Sequence, residues 1–302
     1  MLTLTQLAAG VEKLASRLPG PIRRPVEHEW RPISTLFLHR RAPRLLVIGE
    51  PDAATELWAR TLLRLPPGEG EAPRGIWLPS HARGALTWAI AENEAQARAV
   101  LAQDPPPDLF LYVAAREPSA FARLRGDVEA VFGEAPQAAI LAAIGRALPP
   151  EARLEFARVS GEPGVQREIA AQLTRSCAAV STAIGAQPIP LADFPILTSL
   201  QALLVAGIVT ASGREWNLRL GRDFLAALGV NAGLGLLLRE GARAAVKLVP
   251  GLGNAISGAV AGAGTYAVGR AASAFFLEGL PLAEARRRFW FFKKKRPPEL
   301  RG

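Results

Sequence analysis

The sequence predicts an α/β domain followed by an all-α hydrophobic helical domain. Three observations predict this: short apolar runs alternate with stretches of helical spacing from Arg44 onward, the alternation stops near Gln187, and long uncharged Ala/Gly/Leu segments then take over. Alternating strand and helix signals call for a parallel sheet covered by helices. With 302 residues, 49% of them apolar, the chain is long enough for two domains that each bury a core. The expected division is a lead-in over 1–43, the α/β domain over 44–186, the helical domain over 187–280 and a basic, aromatic tail over 281–302.

In the lead-in, Leu4, Leu7, Ala8, Val11 and Leu14 are spaced for one helix face, with Glu12 and Lys13 among them. An amphipathic helix closed by Pro19-Gly20 is expected rather than a signal peptide. In the α/β domain the expected strands are Leu45 to Ile48, Gly75 to Leu78, Leu109 to Val113, Ala138 to Ala143 and Leu154 to Val159. The expected helices are Thr55 to Leu63, Leu86 to Leu101, Ser119 to Phe132 and Val165 to Ala183, with Pro105-Pro106-Pro107 and Pro149-Pro150 as punctuation. Beyond Gln187, the uncharged stretches Phe194 to Gly213, Phe224 to Leu238 and Leu248 to Gly269 predict hydrophobic helices. Asp193 suits the cap of the first, with Pro195 in its first turn.

Several kinds of chemistry are excluded or disfavoured. Cys177 is the only cysteine, so an intrachain disulfide and a paired-cysteine zinc site are both excluded. His28, His39 and His81 are too scattered to make a metal site, and Cys177 has no histidine near it in sequence to activate it. No catalytic residue, metal or cofactor is expected.

The first strand does lead into the frame of a phosphate loop at Val47-Ile48-Gly49-Glu50-Pro51. In G-x-x-x-x-G-K-[ST], backbone amides and a helix N-terminus cradle the phosphates, and the Ser/Thr hydroxyl meets magnesium. If Gly49 is the first glycine, the second falls on Ala54, the lysine on Thr55 and the hydroxyl on Glu56. No lysine occurs between Lys13 and Lys247, and Glu50, Asp52 and Glu56 put negative charge where a triphosphate would sit.

Followed strand by strand, the domain resembles the Era/TrmE-like GTPases, with their motifs eroded. That resemblance implies a P-loop GTPase frame and specific landmarks. An Asn-Lys-x-Asp guanine motif would fall at Ile144-Gly145-Arg146-Ala147, and no Asp occurs between Asp127 and Asp193. The switch threonine would lie between Leu63 and Trp77, which hold no Thr, Ser or Asp. The Asp-x-x-Gly motif would correspond to His81-Ala82-Arg83-Gly84, and Val159-Ser160-Gly161 with Gly164 resembles the Ser-Ala loop. A flavodoxin-like or Rossmann-like frame is the alternative.

The second domain carries Pro188-Ile189-Pro190-Leu191-Ala192-Asp193-Phe194-Pro195-Ile196-Leu197, Gln201, Lys247-Leu248-Val249-Pro250-Gly251 and Thr265-Tyr266-Ala267-Val268-Gly269-Arg270. It resembles the YcjF-related domain of unknown function, which often follows such a GTPase domain in bacteria. The resemblance implies a helical module with membrane association and no catalytic residues.

Physically, Phe194 to Gly213 meets the roughly 20 residues needed to cross a bilayer, while burial in a soluble core is the competing reading. Gly251, Ala255, Ala259, Ala263, Ala267 and Ala271 form an i+4 ridge beside Gly258 and Gly262, which lets another helix approach closely.

The tail groups Arg286, Arg287, Arg288, Lys293, Lys294, Lys295, Arg296 and Arg301 around Phe289-Trp290-Phe291-Phe292. From Arg286 to Arg301, eight basic residues against the single acid Glu299 leave +7 of the chain's +9. Such a segment suits an anionic membrane surface or, less well, nucleic acid. The expected function is therefore a membrane-associated pseudo-GTPase scaffold or regulator, with a membrane surface or bilayer and a protein such as an active GTPase as partners. Its expected place is the cytoplasmic side of the inner membrane, or the cytoplasm with peripheral membrane association. An atypical GTP-binding protein and a nucleic-acid-binding module using the tail are the alternatives.

Overall fold

Five strands form a single sheet in the order 78–79, 87–91, 44–48, 109–112, 130–132, in which the last four run parallel and the edge strand 78–79 is antiparallel to its neighbour. The computed structural model describes residues 3–16, 18, 20–49, 53–63, 72–79, 86–103, 105–114, 121–186, 193–228 and 252–289. The chain divides into two compact units, one of Met1–Arg31, Ala170–Val209 and Trp216–Gly302, the other of Pro32–Ile169 and Thr210–Glu215. The fold is α/β followed by a helical region.

The strands are β1 (Arg44–Ile48), β2 (Leu78–Pro79), β3 (Thr87–Ala91), β4 (Leu109–Tyr112) and β5 (Ala130–Phe132). Leu45 to Ile48 and Leu109 to Tyr112 are buried throughout, as central parallel strands with two covered faces require. The helices around them are α3 (Ala53–Leu63), α4 (Glu94–Leu101), α5 (Ala122–Arg125), α6 (Gln137–Ala147) and α7 (Pro150–Ser160). Before them come α1 (Leu4–Ala15) and α2 (Gly20–Leu38), and after them α8 (Pro163–Gly185), α9 (Asp193–Ala211), α10 (Leu218–Ala227), α11 (Leu252–Phe276) and α12 (Leu282–Phe289). α1 has a Thr3/Gln6 capping box, and Asn93 caps α4 by accepting from the Gln96 amide at 3.0 Å.

Four expected elements change type. Ala138 to Ala143 lies inside α6, where Ile140, Leu141 and Ile144 are buried while Gln137, Ala138 and Ala139 are exposed, a helical rather than alternating pattern. Leu154 to Val159 lies inside α7, which starts on Pro150 and stops at the left-handed Gly161 (φ 58°). The expected helix from Leu86 begins instead as β3, because a strand buried on both faces reads as an unbroken apolar run. Ser119 to Phe132 resolves into the single turn of α5 and then β5. Of Gly75 to Leu78, only Leu78 is in a strand, and α2 had no counterpart in the expected elements.

At the start of the strands Asp108, with only 6% of its side chain exposed, is held by both Arg41 Nη atoms at 2.6 Å and by the Arg44 amide at 2.9 Å. Glu151 of α7 joins Arg41 at 3.2 Å, and Glu155 bridges Arg40 at 3.0 Å and Arg158 at 2.7 Å. The Asp108 hydrogen bonds hold the Arg41 guanidinium above its ordinary pKa against the opposing effect of burial.

In the other unit α8 and α11 meet closely along small residues. A Cβ on Gly258 would stand 2.7 Å from the Thr182 carbonyl oxygen, and one on Gly262 1.9 Å from Thr182 Oγ1. A buried polar line crosses the contact: Ser181 Oγ lies 2.8 Å from Thr265 Oγ1, which accepts from Gln201 Nε2 at 3.3 Å. Leu200, Leu203, Leu204, Val205, Ala206 and Ile208 of α9 are fully enclosed by protein, which accounts for a helix apolar on all sides. Among the described residues, no helix is long and apolar enough to cross a membrane.

Candidate functional site

β1 ends at Ile48 and hands the chain to Gly49, whose amide donates to the Ala91 carbonyl at 3.3 Å, beyond the C-terminal ends of β1 and β3. In an open parallel sheet this is where ligands bind. The first turn of α3 then brings Thr55 back over it. Thr55 is only 2% exposed, and its side chain would lie 2.5 Å from any Cβ built on Gly49. Only a glycine leaves Thr55 that room, so the space above the glycine is already filled. The side chain of Ala54 lies outside the described residues.

Glu56 is the centre of a buried charge network. Its Oε1 accepts from Arg60 Nε at 2.7 Å, and its Oε2 accepts from Arg74 Nη1 at 2.9 Å and from the Ala72 amide at 2.9 Å. Arg74 Nε donates to Glu92 Oε1 at 2.6 Å, and Arg74 Nη1 also donates to the Ala72 carbonyl. The side chains of Glu56, Arg74 and Glu92 are 10%, 16% and 13% exposed. Burial pushes the Glu56 carboxyl up, but the Ala72 amide, Arg60 and Arg74 outweigh it and hold it below the usual carboxylate range. Burial likewise lowers the Arg74 pKa, and the bonds to Glu92 and Glu56 more than reverse it. Arg60 also lies over the Trp88 ring, 5.4 Å from its centroid.

The site residues expected from sequence are thus partly reunited. Thr55 packs on Gly49 with Glu56 next to it on α3, and the structure adds Arg60, Arg74 and Glu92 around Glu56, none of which a sequence motif marks. Arg60 had a signal, since it lies four residues after Glu56 on one helix. Arg74 reaches Glu56 across the connection that follows α3, and no local pattern announces that contact.

Two expected motif places move. The fifth strand ends at Phe132, so the position after it is Gly133-Glu134-Ala135-Pro136 rather than Ile144 to Ala147, the last turn of α6. A Cβ on Gly133 would stand 2.7 Å from the Trp58 ring and 3.1 Å from the Tyr112 carbonyl. The residues that follow the third strand are Glu92-Asn93-Glu94-Ala95; His81 to Gly84 precede that strand and lie outside the described residues. Ser160-Gly161 is a turn between α7 and α8, where the Glu162 amide donates to Ser160 Oγ at 3.4 Å, and not a loop after a strand.

Elsewhere, Arg286 and Arg287 are exposed on α12, the side chains of Arg288 and Phe289 are outside the described residues, and so are Trp290, Phe291, Phe292, Lys293, Lys294, Lys295 and Arg296. Gly258 and Gly262 lie on the face of α11 against α8, whereas Ala255, Ala259 and Ala263 of the expected ridge are exposed. Cys177 is buried, which pushes its thiol pKa up and leaves it unreactive. Among the described residues, no three His, Cys, Asp or Glu are grouped to hold a metal ion. Compared with known proteins, the chain matches no protein-family model and no curated protein.

Proposed function

We propose that the α/β domain is a pseudo-GTPase: a GTPase-like frame whose nucleotide site has been filled by its own side chains, serving as a scaffold or regulator and not as a hydrolase. The observation that carries this is Glu56. A phosphate cradle needs open backbone amides and a positive potential at the start of the helix after β1. Here that place holds Thr55 over Gly49 and a buried carboxylate whose oxygens are already taken by Arg60, Arg74 and the Ala72 amide. A triphosphate would meet steric occupation there, and a magnesium ion would find a carboxylate already committed to two guanidiniums.

Strand order supports the GTPase-like frame over the alternatives. The Rossmann order 3-2-1-4-5-6 and the flavodoxin order 2-1-3-4-5 are described for mostly parallel doubly-wound sheets. An antiparallel edge strand β2, hairpinned to β3 beside a parallel β3-β1-β4-β5 core, suits a Ras-like frame better. The frame departs from that plan after β5, where α7 takes the place of a further strand.

The helical region, resembling the YcjF-related domain, would be the module through which the scaffold meets a protein partner such as an active GTPase. The basic, aromatic tail would hold the chain at an anionic membrane surface, on the cytoplasmic side of the inner membrane or peripherally from the cytoplasm. Calorimetric titration of the full chain with GTP and GDP, with and without magnesium, tests the central claim. No heat of binding is expected, and a dissociation constant in the low micromolar range or tighter would overturn it in favour of an atypical GTP-binding protein.

A further inference from the structure

We propose that Arg74 is a built-in cation that latches the segment from Ala72 to Ile76 permanently against α3 and the end of β3. This deepens the pseudo-GTPase reading and rests on it. In P-loop proteins a divalent cation is held by the hydroxyl residue of the loop and by an acidic residue on a second strand, and switch segments stay ordered only while the phosphate and its metal hold them. The first of those positions is Glu56 in the sequence frame, and Glu92 is the acid directly after β3, the strand paired with β1. One guanidinium binds both, through Nη1 to Glu56 at 2.9 Å and through Nε to Glu92 at 2.6 Å.

Arg74 belongs to the segment that it fastens. Around it the Ala72 amide donates to Glu56 at 2.9 Å, the Gly75 amide donates to the Ile90 carbonyl at 2.9 Å, and Gln103 Nε2 donates to the Gly75 carbonyl at 2.9 Å. Gly75 adopts φ 74°, a left-handed conformation that glycine takes without strain and that turns its amide onto β3. Gln96 completes the frame by accepting from the Glu92 amide at 2.7 Å. A cation that is part of the chain cannot dissociate or be hydrolysed away, so the segment keeps one conformation whatever nucleotides or metals surround it. A surface of that kind suits a scaffold that presents a fixed face.

Hydrogen exchange of the full chain, read by mass spectrometry, tests the latch. Arg74→Gln should speed exchange of the amides from Ala72 to Trp77 by about ten- to hundredfold, as the loss of charged hydrogen bonds implies, while β1 and β4 keep their protection. Wild-type exchange in the segment should not change when millimolar magnesium is added. An unchanged segment in Arg74→Gln, or a magnesium-dependent gain of protection in the wild type, would overturn the proposal. If Arg74→Gln unfolds globally, seen as lost protection in β1 and β4, Glu92→Gln removes one side of the latch with a near-isosteric amide. It should loosen the same segment selectively, and no loosening would again overturn the proposal. GTP binding by the wild type would refute the pseudo-GTPase reading without touching the exchange result, so the two failures are separable.

Discussion

Glycine-to-alanine substitutions at two helical positions should change stability in opposite directions. Gly10 lies exposed in α1 with nothing within 4 Å of the place its Cβ would take, whereas a Cβ on Gly258 would stand 2.7 Å from the Thr182 carbonyl oxygen and 2.9 Å from Ala186 Cβ. Alanine is favoured over glycine in a helix interior by about 0.8–1.0 kcal/mol, a gain available at both sites. At Gly10 nothing opposes it, so Gly10→Ala should stabilise by about 1 kcal/mol. At Gly258 the nearest atom is backbone, which no rotamer change can move, so α8 and α11 must part by several tenths of an ångström. Overpacking of that kind costs roughly 1–3 kcal/mol, leaving a net loss of about 0–2 kcal/mol once the propensity gain is subtracted. Gly262→Ala should be milder than its 1.9 Å contact suggests, because that contact is with a Thr182 hydroxyl that can rotate away from its bond to the Ala178 carbonyl. Gly258→Leu adds bulk that no local shift absorbs and should cost more than either alanine. Urea unfolding followed by circular dichroism gives the comparison. A Gly258→Ala variant as stabilised as Gly10→Ala would refute the close α8–α11 contact.

Asp108→Ala leaves Arg41, which is part-exposed and still beside Glu151, without its bidentate partner, and urea titration should record a loss of about 1–3 kcal/mol. Glu56 titrates below the usual carboxylate range when folded, so its network stabilises the fold at neutral pH; that contribution should start to fall once the pH drops under the unfolded value, about 4.3, and vanish below the folded one. Glu56→Gln should flatten that part of the stability-pH curve, and an unchanged acid limb would remove Glu56 as its cause. Co-sedimentation with anionic vesicles should weaken when residues 290–302 are deleted, since basic residues near an anionic leaflet contribute on the order of 1 kcal/mol each; equal pelleting would remove the tail from the mechanism, and release of the full chain by RNA would point to nucleic acid.

The fold class was legible because alternation and composition are local properties. Leu45 to Ile48 and Leu109 to Tyr112 announced central strands through unbroken apolar runs bounded by turn signals. The same kind of run misled elsewhere. β3 and the middle of α6 are both short apolar stretches containing alanine, and only the surroundings separate them: β3 is covered on both faces between β1 and β2, whereas α6 exposes Gln137, Ala138 and Ala139. Periodicity over six residues cannot distinguish these cases. The apolar stretch of α9 posed a similar ambiguity, since a bilayer and a protein core ask for the same residues. The enclosed α9 side chains and the buried Gln201, whose amide reaches Thr265, are accounted for by protein neighbours alone.

At the candidate site the departures from the loop motif were legible in the sequence, and the contacts around them were not. Ala54, Thr55 and Glu56 could be read as failed loop positions because the motif has fixed spacing. Their consequences are nonlocal. A carboxylate at position 56 is tolerable only because two guanidiniums and an amide satisfy it, and Arg74 is in turn satisfied by Glu92. Each member is therefore stabilising in the presence of the others and costly alone, as buried ion pairs are. It follows that placing serine at Glu56 and lysine at Thr55 would not by itself make a phosphate cradle. The serine would remove the carboxylate that Arg60 and Arg74 share, and the lysine would add a third cation beside Arg60 and Arg74. Single substitutions toward that motif therefore pass through states in which part of the network is left incomplete.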